Sequence, residues 1–319
     1  MSEADRLQHF PISYFAIVMG LSGLTIAWEK AHDVLQMPGI IGVGLLAATV
    51  IVFGAILFFY GYKVFHFRPM VFKELHHPVK LNFFPTVSIS MILLSICTLY
   101  LSAPVSFALW FTGSAIHLLF TLYVMQVWIH HEHFEIHHMN PAWFIPVVGN
   151  ILVPVAGVAH GYIEISWFFF SIGLLFWLVL LSIVFNRVIF HQPIPAKLLP
   201  TLFILIAPPA VGFIAYVKLS GSVDIFARLL YYSALFLTLL LLTQTPRFVK
   251  LRFFLSWWAY SFPMAAITIA TMLMYQQTGQ AMFRLLAYIL LAIITVLIGY
   301  LAIKTITAIQ RRQICVEDG

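Results

Sequence analysis

The chain has 319 residues, of which 62% are hydrophobic and 9% charged, and its formal net charge is +6. A soluble domain carries about 25% charged residues, and a mean hydropathy of +0.99 leaves too little polar surface to face water, so lipid is the solvent for most of the chain. No hydrophilic unit is left to hold a nucleic acid; the positive surplus reads instead as an orientation signal and as a potential at the mouths of a bundle.

A bilayer core of about 30 Å needs about 20 apolar residues per helix. Ten such runs are predicted, at 11–29, 38–61, 83–102, 104–127, 143–160, 164–186, 199–218, 224–243, 253–276 and 281–306. The first has no basic start and no small-residue cleavage site before it, which predicts an uncleaved first span. Continuous apolarity, without alternation over about 10 residues, predicts helices and excludes barrel strands. About two residues part the third and fourth runs, a tight antiparallel pair. Connections ahead of spans three, five, seven and nine are longer and polar. The predicted fold class is all-α integral membrane, ten transmembrane helices in five hairpins. It forms a single transmembrane domain over 1–319, with short cytoplasmic tails at about 1–10 and 308–319.

Orientation follows from the basic residues. Arg6, Lys63, Arg68, Lys73, Lys80, Arg187, Lys197, Arg247, Lys250, Arg252, Lys304, Arg311 and Arg312 fall at one end of this arrangement. Lys30, Lys218, Arg228 and Arg284 fall at the other. The positive-inside rule then places both termini in the cytoplasm of a plasma (inner) membrane protein.

A degenerate repeat runs through the chain. Span one opens Phe10-Pro11-Ile12-Ser13, span three Phe84-Pro85-Thr86-Val87-Ser88, and span seven Leu199-Pro200-Thr201 followed by Pro208-Pro209. Span five has Ile145-Pro146, then Asn150 and Pro154; span nine has Phe262-Pro263. Every odd span carries proline and the even spans are nearly free of it, Pro104 at the start of span four being an exception. Five hairpins with unlike members are expected. Proline frees a backbone carbonyl, which lipid cannot satisfy and a lumen or packed protein can. Five kinked inner helices around a central pore, with five outer helices against lipid, are therefore predicted.

The central turns of the odd helices hold no Asp, Glu, Lys or Arg; Glu29 and Lys30 sit at an end. Ion-coupled sites usually need such residues, so a passive conduit is expected. Ser13, Ser88, Ser90, Asn150, Ser261, Thr268 and Thr271 are candidates to line it with weak neutral hydrogen bonds, or to bond helix to helix. A basic rim without buried carboxylates favours small anions. No catalytic residue and no cofactor is expected.

The segment His130-His131-Glu132-His133-Phe134-Glu135-Ile136-His137-His138 admits three readings. His133 and His137, four apart, share a helical face and are candidate metal ligands; a histidine-box metalloenzyme is the extreme form. The third reading is a solvated loop titrating near the ordinary imidazole value. Cys97 and Cys315 are expected at different depths, hence unbridged. Trp110, Trp128, Trp143, Trp167, Trp257 and Trp258 are expected as interfacial anchors.

Three stretches resemble a known family. Phe10-Pro11-Ile12-Ser13-Tyr14-Phe15-Ala16-Ile17-Val18-Met19-Gly20 resembles its first helix, Asn140-Pro141-Ala142-Trp143-Phe144-Ile145-Pro146-Val147-Val148-Gly149-Asn150 its fifth, and Ser256-Trp257-Trp258-Ala259-Tyr260-Ser261-Phe262-Pro263-Met264-Ala265-Ala266 its ninth. The family comprises bacterial tellurite-resistance (TehA-type) proteins, plant guard-cell slow anion channels, and malate and sulfite (dicarboxylate) transporters. The resemblance implies a homotrimer with one pore per protomer, five inner and five outer helices, and a phenylalanine of the ninth helix plugging the pore, here Phe262. It implies an anion channel for small monovalent anions, or alternatively a secondary carrier of oxyanions or dicarboxylates such as tellurite, sulfite or malate. Plant members carry long phosphorylated termini; about ten residues precede span one here, so kinase gating of that kind is not expected.

Overall fold

The computed structural model describes residues 6–130 and 134–315. Among these residues the elements are all helices, with no strand. Nine are long and apolar enough to cross a bilayer: α1 (Ile12–Leu35), α2 (Gly39–His66), α3 (Lys80–Cys97), α4 (Ala103–His130), α6 (Ile163–Phe190), α7 (Leu199–Ser220), α8 (Ile225–Leu242), α9 (Leu255–Thr278) and α10 (Ala281–Gln310). Between α4 and α6 lies a shorter apolar helix, α5 (Pro141–Gly157). It alternates 3-10 and α turns, and the steeper 3-10 rise stretches it to roughly 29 Å.

The odd and even helices differ in build. Each odd helix contains 3-10 turns: α1 opens on Ile12–Tyr14, α3 on Lys80–Phe83, α5 on Pro141–Trp143, α7 on Leu199–Ile206 and α9 on Leu255–Tyr260. The even helices are uninterrupted α-helix, with Pro38 and Pro104 confined to the starts of α2 and α4, where no intrahelical N–H is lost. The prolines explain the difference. Pro11 precedes the first 3-10 turn, Pro85 stands just before the α segment Thr86–Cys97, and Pro208, Pro209 and Pro263 occupy the first turn of theirs. Pro146 and Pro154 sit in the two short α pieces of α5.

Burial separates the two sets. The most apolar windows of α1, α3, α7 and α9 are 67% to 89% buried, those of the even helices 22% to 39%. Large exposed apolar side chains such as Ile51, Phe58, Phe111, Leu175, Phe236 and Val296 lie on even helices. The odd helices close a ring in which α1 packs on α3 and α9, α5 on α3 and α7, and α7 on α9. Each even helix covers the seam between its own odd partner and the next, down to α10, which bridges α9 and α1.

Several boundaries differ from expectation. The α1 helix runs on to Leu35 because its polar end, Glu29 to Asp33, is still helical; Gln36 in the left-handed region and Pro38 then stop it. The turn between α3 and α4 spans 98–102 because α3 ends at Cys97. Lys63, assigned by sequence to a polar loop, is buried inside the longer α2. Its Nζ donates to Glu74 Oε2 of the short helix Arg68–Leu75 at 2.8 Å and to Phe10 O at 2.8 Å, and Tyr60 also donates to Glu74. The same end holds the C-terminal segment, where Arg6 donates to Ile314 O at 3.0 Å. Cys97 and Cys315 are both free thiols.

A cavity walled by the inner ring

At the centre of the ring is a cavity of about 80 Å³, room for a handful of waters. Every residue of its wall belongs to an odd helix: Ala16 and Met19 from α1, Phe83, Thr86 and Ile89 from α3, Phe144 to Leu152 in part from α5, Ile204 to Val211 in part from α7, and Trp258, Ala259, Phe262 and Pro263 from α9. None is ionisable. The one hydroxyl, on Thr86, donates back to Phe83 O.

The cavity lies where 3-10 turns give way to α-helix. Ala16, Thr86, Ala207 and Phe262 are each the first or second residue of an α segment, and Gly149 begins the inner 3-10 turn of α5. Such junctions hold fewer regular backbone hydrogen bonds than continuous helix and are common hinge points.

Phe262 is buried in this wall, followed directly by Pro263. The approach of α1 to α9 positions it. A methyl group on Gly20 would overlap Ser261 Oγ, and one on Gly23 would stand 2.8 Å from Ala265 Cβ. Glycine at both positions lets the two helices meet at backbone distance.

Of the sequence candidates, Phe262, Pro208 and Pro263 belong to the wall; Ser13, Ser88, Asn150, Ser261 and Thr268 do not. The hydroxyls of Ser88, Ser261 and Thr268 and the amide of Asn150 bond backbone carbonyls or side chains of α4 instead. Ser261 Oγ donates to Trp258 O at 2.6 Å, Thr268 to Met264 O at 2.7 Å, Ser90 to Thr86 O at 2.7 Å and Thr271 to Ile267 O at 2.8 Å. Ser88 donates to Pro85 O at 2.8 Å and so accepts at 2.9 Å from Nδ1–H of His117 on α4. Asn150 Nδ2 donates to Val147 O at 2.7 Å and to Thr121 Oγ1 of α4 at 2.9 Å.

These α4 contacts explain how lipid-spanning protein tolerates a helix as broken as α5. Thr121 Oγ1 donates to Pro146 O at 2.6 Å and Trp110 Nε1 to Val153 O at 2.9 Å. Carbonyls at the breaks are met by side chains of the covering helix. Sequence reasoning missed His117 and Thr121 and read Trp110 as an interfacial anchor; their spacing of seven and four residues along one face of α4 was the available signal.

The tryptophans correct an expectation. Trp110 and Trp258 are fully buried, and Trp257 and Trp143 nearly so; Trp258 bonds Thr305 on α10 at 2.9 Å while its other side faces the cavity. They pack within the bundle, where Trp110, Trp143 and Trp258 find acceptors for the indole N–H in Val153 O, His138 O and Thr305 Oγ1.

In the histidine segment, His133 lies outside the described residues. His137 is exposed, with Nδ1 at 3.0 Å from Glu135 Oε2. Among the described residues no group of three or more His, Cys, Asp or Glu side chains is arranged to hold a metal ion.

The profile of the SLAC1 family, described as voltage-dependent anion channel, matches residues 9–306. The S-type anion channel SLAH2 of Arabidopsis thaliana is 32% identical over 273 residues, covering 83% of this chain and 52% of that protein. An uncharacterized transporter of Methanocaldococcus jannaschii is 28% identical over 299 residues, 86% of each chain. The tellurite resistance protein TehA homolog of Haemophilus influenzae is 24% identical over 308 residues, 95% of this chain and 92% of that one. The chain spans about half the length of SLAH2 and of SLAH3, where the match covers 52% and 48% of those proteins.

Proposed function

The chain belongs to the SLAC1 family of voltage-dependent anion channels, a family of channels and transporters and not of enzymes, and from that premise we propose that it conducts small monovalent anions passively through the lumen of its own inner ring, with Phe262 as the gate. The observation that carries this reading is the wall of the central cavity, drawn from all five odd helices, without an ionisable group, and with the Phe262 ring in it. An apolar constriction blocks ions by sterics and dewetting, and a neutral wall binds an anion weakly enough to release it. An aromatic ring at a hinge is a movable obstruction.

The rest of the proposal follows the same premise. Residues 1–319 act as one transmembrane channel domain, with α5 as a tenth span and the termini on the cytoplasmic side of the plasma membrane, where the basic end lies. Three copies assemble into a homotrimer, each with its own pore. Pro11, Pro85, Pro146, Pro154, Pro208, Pro209 and Pro263 bend the inner helices. Ser13, Ser88, Asn150, Ser261 and Thr268 support the pore from the joints behind it.

The similarity to a tellurite resistance protein homolog and to an uncharacterized transporter favours a second reading, a secondary carrier for an oxyanion or dicarboxylate. Purified protein in liposomes separates the two. A channel dissipates an imposed chloride gradient and accumulates nothing; uphill accumulation driven by a proton gradient overturns the passive reading.

A further inference from the structure

The cavity wall holds no ionisable group, but one stands directly behind it. His117 lies near the middle of the outer helix α4 and is fully buried. Its ring points away from lipid, toward the inner helices. A methyl group added to Gly149 would stand 2.7 Å from both Cε1 and Nε2 of the imidazole, and 2.8 Å from Ile89 Cδ1. Gly149 and Ile89 both belong to the cavity wall, and Gly149 is the one glycine among the described residues that line it. The Cε1–Nε2 edge of His117 therefore faces the wall at the position that has no side chain to cover it.

The two ring nitrogens differ. Ser88 gives its single hydroxyl hydrogen to Pro85 O at 2.8 Å, so it receives one from Nδ1–H of His117 at 2.9 Å. Nε2 is left with a lone pair, and among the described residues it has no hydrogen-bond partner. A buried polar atom without a partner costs stability and calls for a role. A proton taken up at Nε2 disturbs neither bond of Nδ1 and Ser88. What such a proton lacks is a counter-charge. Around His117, α3 and α5 pack against α4. The α5 helix has no titratable residue, and α3 has Lys80 and Cys97 at its two ends. On α4 itself Tyr123 and His130 lie toward the C-terminal end, and His160 meets α4 at Ser106, toward the other. No carboxylate is among these groups, so an imidazolium at this place is uncompensated until an anion occupies the cavity.

We propose that His117 Nε2 is a proton site linked to the cavity, taking up a proton as a small monovalent anion enters and releasing it as the anion leaves. The inference rests on the conduction reading above, since it needs the anion in the cavity. The proton comes from solvent and binds the Nε2 lone pair, and no other bond changes. A cation behind Gly149 stabilises the anion, and by linkage the anion stabilises that cation to the same extent. Together the two are neutral, in a medium where either charge alone is expensive. The cavity thus holds an anion weakly while the imidazole is neutral and more tightly in acid.

The test uses the full chain in detergent, weakly buffered at about pH 6.5, where an ordinary imidazole is half protonated. Chloride replacing gluconate at constant ionic strength is expected to draw protons from solution, read with a pH-indicator dye. His117→Asn, whose amide can still donate to Ser88 Oγ, and His117→Gln are both expected to lose that uptake. In planar bilayers, Phe262→Ala is expected to pass about threefold more chloride at about pH 5.5 than at about pH 7.5, and the double variant Phe262→Ala, His117→Asn to lose the difference. No uptake in wild type, or uptake that survives both His117 variants, overturns the site; chloride current in Phe262→Ala then leaves conduction standing. A chloride current whose pH response is the same with and without His117→Asn overturns the site as well. Uptake lost in both variants, with no chloride current in Phe262→Ala at either pH, keeps the site and removes the channel.

Discussion

The ring of Phe262 lies against Gly23, where an added methyl group would stand 3.3 Å from Phe262 Cδ2 and 2.8 Å from Ala265 Cβ. Gly23→Ala must therefore part α1 from α9 or move the ring. Overpacking of this kind costs about 1–3 kcal/mol, and a lowered thermal midpoint in detergent is expected, together with a chloride leak through the disturbed gate. Gly44→Ala, on α2 where nothing lies within 4 Å of the added methyl, is the control. Equal midpoints for both variants would refute the close approach of α1 and α9.

The buried pair at the end that holds the termini makes a different demand. Lys63 and Glu74 lie 2.8 Å apart with side chains 1% and 8% exposed. Removing one partner leaves a buried charge uncompensated, at about 3–5 kcal/mol. Lys63→Met is expected to lower the unfolding midpoint well below that of the double variant Lys63→Met, Glu74→Leu. A double variant no more stable than the single would show that the pair does not interact as described.

Repair of the broken helix α5 by its covering helix is testable at Thr121. Thr121→Val removes the donor to Pro146 O and the acceptor for Asn150, at about 1–3 kcal/mol for a buried group left unmet. Thr112→Val, whose hydroxyl bonds only Ala108 O on an exposed face, changes little. Equivalent effects at both sites would mean that the α5 carbonyls are satisfied in some other way.

His160 gives a pH prediction. It stands in the connection between α5 and α6, its Nε2–H donating at 3.0 Å to Ser106 Oγ, which in turn donates to Ser95 O at 2.7 Å. Burial holds its imidazole below the ordinary value of 6.5. The folded state thus favours neutral His160, and its contribution is complete above pH 6.5. As the pH falls below 6.5 the unfolded chain takes up the proton first and that contribution is lost. His160→Gln should flatten the pH dependence of the thermal midpoint just below pH 6.5; an unchanged slope would place the titration elsewhere.

Much of the architecture was legible because proline acts through the backbone alone. Pro11, Pro85, Pro146, Pro208 and Pro263 marked the helices that lipid cannot accept, and those helices form the ring. The role of the polar side chains was legible only as a pair of alternatives. Ser88 and Asn150 could line the lumen or bond helix to helix, and each takes the second role by turning toward α4, because a hydroxyl or amide next to a proline break finds a free carbonyl or a side chain on the covering helix before it finds water. The cavity wall is made of Ala16, Ile89, Val148 and Trp258, types indistinguishable in sequence from ordinary core. Lys63 looked like a loop charge because its partner Glu74 is eleven residues away, on an element too short to read from periodicity.

Planar-bilayer current with chloride as the permeant ion, wild type against Phe262→Ala, tests the gate most directly. Removing the ring from the cavity wall should raise chloride current severalfold, since the remaining wall is neutral and presents no other aromatic ring on α9 except Trp258. A Phe262→Ala protein that is folded and inserted, yet passes no more chloride than wild type, would contradict a gate at this residue.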